Sequence, residues 1–133
     1  MFVFAAAPYA GLCEGFVKAA YANAGVSQDY LDQGSAKDGC EIAKGKAGWS
    51  TGGTPPLGAV VFWEDCSAFG HVCISRGGGM ASSSGDGKHW NGSPDVSLSW
   101  LNSDWCGGEF TGWIMPYSAE EAEAYLRGTV SAQ

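Results

Sequence analysis

Positive charge is what this chain has least of. Seven Lys and Arg stand against fourteen Asp and Glu in 133 residues, a net charge of −7 and an isoelectric point near 4.5. Without a basic footprint there is nothing to neutralise a phosphate backbone, which argues against nucleic acid as a partner. Long apolar runs are also missing. No stretch approaches the ~20 residues of a membrane-spanning helix, and the apolar opening Met1–Ala7 lacks the cationic flank and length of a secretory signal, so a soluble domain without a membrane partner is expected. Histidine occurs twice, and no C-x-x-C pair occurs, which leaves no set of ligands for a structural zinc ion; neither metal nor cofactor is expected. Charged residues, at 16%, are few for a helical bundle.

Glycine and aromatic residues are abundant: 21 Gly, six Trp and 13% aromatics favour a loop-rich fold containing a sheet. The length suits one domain spanning 1–133, with a core over about 9–117 and a peripheral tail over 118–133. Five cysteines cannot all pair within one chain, so at least one thiol stays free in a monomer.

The turn cluster 50–58, Ser-Thr-Gly-Gly-Thr-Pro-Pro-Leu-Gly, separates two textures. Before it, Leu12, Phe16, Val17, Ala20, Tyr21 and Ala24 recur at helical spacing and predict a helix over 12–24, stopped at Gly25. Ser35 as N-cap with Asp38 three residues on predicts a second helix to about Lys44, weakened by Gly39. After the cluster the pattern turns to strands over 59–64, 70–75, 80–84 and 110–115, with Gly77-Gly78-Gly79 as the tight turn between the second and third. The tail from Ser118, with Glu120, Glu121 and Glu123 ahead of Arg127, reads as a helix.

Cys13 opens the first helix, where backbone N–H groups stabilise a thiolate. His71, Cys73 and Ser75 share one face of the second strand, and Val72 and Ile74 point to the core. A thiol on a helix start and an imidazole on a strand are the parts of a cysteine hydrolase: the imidazole takes the thiol proton, the thiolate attacks an acyl carbon, and the imidazolium protonates the leaving amine. With a turn centred near Gly78, residue 71 falls opposite about 85, and the polar residue sharing its face is Ser83. Asp86 is the better acceptor but has the wrong parity unless the strand bulges or ends first. His89, in a Gly- and Asn-rich stretch, reads as a solvated loop residue.

These residues resemble a family, the papain-like cysteine hydrolases of bacterial and phage cell-wall metabolism, the CHAP and NlpC-type domains. Leu12-Cys13-Glu14-Gly15-Phe16-Val17 with Ala20-Tyr21 and Gly25 is similar to the family's nucleophile helix. Pro56-Leu57-Gly58-Ala59-Val60-Val61-Phe62-Trp63 resembles its Pro-x-Gly-Asp-Val-Val-Phe-Trp strand, with Ala59 where Asp is common. Gly70-His71-Val72-Cys73-Ile74-Ser75 with Gly77-Gly78-Gly79 resembles its Gly-His-Val-Gly-Ile strand and turn, and Thr111-Gly112-Trp113-Ile114-Met115-Pro116 its closing strand. The resemblance runs from about residue 9 to 117. It implies an α+β, papain-like fold in which an N-terminal nucleophile helix packs on a small antiparallel β-sheet, with Cys13 as nucleophile and His71 as base.

The third polar role, commonly His, Asn, Gln or an acid in the family, falls near Ser83 and stays open between Ser83, Asp86 and a backbone carbonyl. The implied substrate is an amide bond of peptidoglycan, in the stem peptide or cross-bridge (endopeptidase) or between muramic acid and the first alanine (N-acetylmuramoyl-L-alanine amidase). Tyr9, Trp49, Trp90 and Trp105 are candidate platforms for sugar or stem peptide. The expected setting is the bacterial cell wall, reached by a monomeric phage lysin domain or a fragment of a secreted protein, with a separate wall-binding module supplying attachment. Two other readings stand beside this one: a thiol hydrolase or acyltransferase of the same fold on a non-wall substrate, and a non-catalytic wall-binding module. Cys40, Cys66 and Cys106 are the candidates for disulfide pairing, with Cys66–Cys106 favoured.

Overall fold

The computed structural model describes residues 13–23 and 25–117. Tyr9 and the expected tail helix lie outside them. Helix α1 (Cys13–Asn23) turns Phe16, Val17, Ala20 and Tyr21 inward, the one-sided apolar spacing that predicts it. A 3₁₀ turn (Asp29–Leu31) adds Tyr30 and Leu31, and helix α2 (Ala36–Lys44) begins at Ser35, whose side chain accepts the Asp38 N–H at 3.2 Å. Gly39 in α2 fits close packing: a Cβ there would overlap the Tyr30 carbonyl oxygen and stand 2.9 Å from Glu14 Oε1.

Strands β1 (Val60–Trp63), β2 (His71–Gly77), β3 (Met80–Ser84), β4 (Gly92–Ser97) and β5 (Gly112–Ile114) form one antiparallel sheet in the order β4-β3-β2-β1-β5. The fold is therefore α+β with a small antiparallel sheet, as expected. The β2–β3 turn places Gly78 and Gly79 both at positive φ, the backbone of a two-residue hairpin turn that glycine adopts without strain. Strand β4 was not expected, because Gly92-Ser93-Pro94-Asp95 carries no strand pattern; it lies at the sheet edge, where Pro94 withholds no needed donor. A short helix α3 (Leu98–Trp100) running on into a π-helical turn (Leu101–Trp105) was also unexpected.

The sheet separates two apolar clusters. On one face Val60, Phe62, Val72, Ile74 and Ile114 meet α1 and α2. On the other, Val61, Trp63, Cys73 and Ala81 meet Leu98, Leu101 and a layer of partly buried tryptophans. The alternation expected for β2 holds, yet its odd face is buried too, because α3 and the π-turn cover it. The expected Cys66–Cys106 disulfide is present, and Cys13, Cys40 and Cys73 are free.

Gly39→Ala is expected to destabilise the fold by about 1–3 kcal/mol, since overpacking against a main-chain carbonyl outweighs the ~1 kcal/mol helix preference of alanine. The denaturant midpoint of the two proteins measures it.

Candidate active site

Cys13 and His71 open onto one cavity of about 730 Å³ at the end of the sheet where β2 begins. The first residue of α1 supplies the thiol, and the first residue of β2 supplies the imidazole. Gly70 precedes it at positive φ, and a Cβ there would press on the α2 backbone at Lys37, so glycine lets the chain turn tightly into β2.

His71 is 5% exposed, and its Nε2 lies 2.7 Å from Ser83 Oγ, whose residue is fully buried. The expected register holds: Ile74 pairs with Ser82 and Ser75 with Ala81, which carries residue 71 opposite 85 and leaves Ser83 diagonal to it on the same face. The Ser83 hydroxyl donates to the Ser84 carbonyl at 2.9 Å. With the hydroxyl proton directed at Ser84, Ser83 Oγ accepts and His71 Nε2 carries the hydrogen. In the neutral ring this leaves the lone pair on Nδ1, the form a base requires. Burial pulls the imidazole pKa down to about 4, so the ring is neutral at physiological pH.

The thiol departs from expectation. Burial pushes the Cys13 pKa up; the Val72 backbone N–H draws it partly back, Glu14 adds to the rise, and the N–H groups of Glu14 and Cys13 offset a little more. The helix start does oppose the shift, but desolvation outweighs it. The resting pair is thus thiol and neutral imidazole rather than a preformed ion pair. Cys73, two residues after His71, is fully buried with its thiol pKa raised by burial and by Cys13; it does not line the cavity.

The alternative acceptor, Asp86, lies at the cavity rim and is occupied elsewhere. One oxygen accepts the N–H groups of Lys88, His89 and Trp90, and the other meets His89 Nδ1 at 2.8 Å. The His89 ring and these N–H groups hold its carboxyl well below the usual range. His89 is exposed, as its loop setting predicts. Trp90 and Trp105 line the cavity with Trp100 and the exposed Phe69. Trp49 does not: it packs over Gly112 and against Phe62, on the α1–α2 face of the sheet, because Gly112 leaves room there for its indole. Among the described residues no Lys or Arg lines the cavity, whereas Asp86 and Asp104 do.

Sequence reading missed Glu14. It follows Cys13 in sequence yet is 6% exposed, and among the described residues neither carboxyl oxygen has a well-formed hydrogen bond. Burial pushes its pKa up to about 8, with the Gln33 backbone N–H offsetting part and Asp32 and Asp38 adding to it. The only available signal was helical phase: residue 14 lies three before Val17 on the buried side. Among the described residues no His, Cys, Asp and Glu cluster could hold a metal ion. Comparison with protein-family models, curated proteins and solved structures finds no match.

The folded chain holds Glu14 protonated up to about pH 8, whereas an unfolded chain releases that proton near 4.5. Folding stability from this group is therefore full below pH 4.5 and is lost as pH rises toward 8. His71 acts at the other end: its folded pKa is depressed, so stability is lost as pH falls from 6.5 toward 4. Glu14→Gln is expected to match the native protein below pH 4.5 and to exceed it at pH 7 by on the order of 2–3 kcal/mol. Melting temperatures of both proteins between pH 4 and 9 test this.

Proposed function

We propose that this chain is a cysteine-dependent hydrolase of peptidoglycan, an endopeptidase or N-acetylmuramoyl-L-alanine amidase built on a papain-like arrangement. The observation that carries the reading is the shared cavity of Cys13 and His71 with the imidazole fixed through Nε2 on Ser83. The four ordered sequence blocks that resemble the cell-wall hydrolases support it. Ser83 takes the third role here: its hydroxyl sets the tautomer, and the committed bond to Ser84 leaves it only an acceptor to offer.

A carbonyl enters beside Cys13, and His71 Nδ1 takes the thiol proton as sulfur bonds to the acyl carbon. Proton transfer accompanies attack, because both groups rest neutral. The imidazolium then gives that proton to the departing amine, the C–N bond breaks, and a thioester remains on Cys13. Water attacks the thioester with Nδ1 again as base, releasing the acid and the thiol. Trp90, Trp105 and Phe69 offer aromatic faces for a sugar ring or a peptide, and a lining without cations among the described residues suits neutral or amine-bearing segments better than carboxylates.

Purified cell-wall sacculi incubated with the protein should lose turbidity and yield new amine termini, whose fragment masses identify the bond. Cys13→Ala and His71→Ala should each reduce release by at least about 10³-fold. Ser83→Ala should cost on the order of ten- to a hundredfold, the rate equivalent of ~1–3 kcal/mol for an orphaned buried donor. Absence of fragments from every wall chemotype would sink the wall-hydrolase reading; a reactive Cys13 alongside that absence would favour a non-wall acyl substrate.

A further inference from the structure

Among the described residues two rings pack on His71, and a single short segment links them. Trp63 lies 5.6 Å from the imidazole between ring centroids, and Trp105 meets it edge-on at 6.4 Å. Trp105 ends the π-helical turn, which is closed by the Cys106 N–H bonding to the Leu101 carbonyl at 2.8 Å. Inside that turn Asn102 Oδ1 accepts the Trp63 indole N–H at 2.8 Å and the Phe110 N–H at 3.1 Å. The next residue after Trp105 is Cys106, bonded to Cys66 in the loop that runs from Trp63 to His71. The turn is thus tied twice to the chain around the base, once through Asn102 and once covalently, and both cysteines line the cavity with Cys13.

We propose that the Cys66–Cys106 disulfide is a positioning tether for the base: it holds Trp105 against His71, which shields the imidazole from bulk water. This rests on reading His71 as the base, but it concerns the ring's surroundings and is measured without a substrate. A disulfide that served stability alone would act by restricting the unfolded chain. Its removal would lower the melting temperature and leave the folded ring's environment unchanged. Under the tether, removal loosens the π-turn, water reaches the imidazole, and its protonation moves toward that of a free histidine.

The sequence holds only two histidines, so ring Cε1–H signals resolve both by NMR, with His89→Gln assigning them. His71 should titrate near pH 4 in the native protein. In Cys66→Ser/Cys106→Ser, with the fold checked by circular dichroism, its midpoint should rise by about one unit or more toward the ordinary ~6.5. Trp105→Ala, which keeps the disulfide, should give a similar rise, and Trp105→Phe should restore most of the native value. An unchanged titration in the folded double variant overturns the tether, and so does an unchanged titration in Trp105→Ala, which decides the matter if the double variant does not fold. Sacculus hydrolysis by the native protein is scored separately: its failure alongside the expected titration shifts removes the wall-hydrolase reading and leaves the tether standing.

Discussion

Strands β1 and β2 carry no solvent face along most of their length, and a short chain must supply a cover for each side of them. Helices α1 and α2 cover one side, and α3, the π-turn and the tryptophan layer cover the other. The candidate site lies where the two covers meet at one end of the sheet. α1 brings the thiol from the first cover, β2 brings the imidazole between them, and Trp105 comes from the second. Burial sets the protonation of both groups. It raises the thiol pKa and lowers that of the imidazole, so the same desolvation that stabilises the sheet keeps the pair uncharged at rest.

The group that meets His71 is a hydroxyl rather than a carboxylate. Ser83 is uncharged and fully buried, and its influence on His71 comes from having its own proton engaged by Ser84. A carboxylate in that place would stabilise the imidazolium more strongly, and it would also need its own desolvation offset. A hydroxyl with one committed proton fixes the tautomer without bringing a charge into the core. Glu14 makes the contrast visible, since an acid buried without well-formed partners keeps its proton to about pH 8.

The elements that the sequence announced are those with a strong period or a specific punctuating residue. α1 follows from Phe16, Val17, Ala20 and Tyr21, the start of α2 from Ser35, and the hairpin from Gly78 and Gly79. The hairpin register in turn led to Ser83, because a tight turn fixes which residues stand across from one another. What stayed hidden depends on tertiary contact. β4 is polar and contains Pro94, and only the open edge of β3 makes it a strand. The π-turn has no sequence rule of its own. Trp49 and Trp90 look alike in the chain, and the space above Gly112 sends the first to the opposite face of the sheet.

Five thiols in one chain also set an order of events. Cys40 and Cys73 are sealed into opposite faces of the sheet, whereas Cys66 and Cys106 sit with Cα atoms 4.6 Å apart, a spacing that suits a disulfide. If the core collapses before oxidation, two thiols are out of reach and the correct partners are already neighbours. If oxidation comes first, Cys13 is one more available partner, and a mispaired chain has used up the thiol that opens onto the cavity. Recovery of reactive protein should therefore depend on when oxidant is admitted as much as on how much is present.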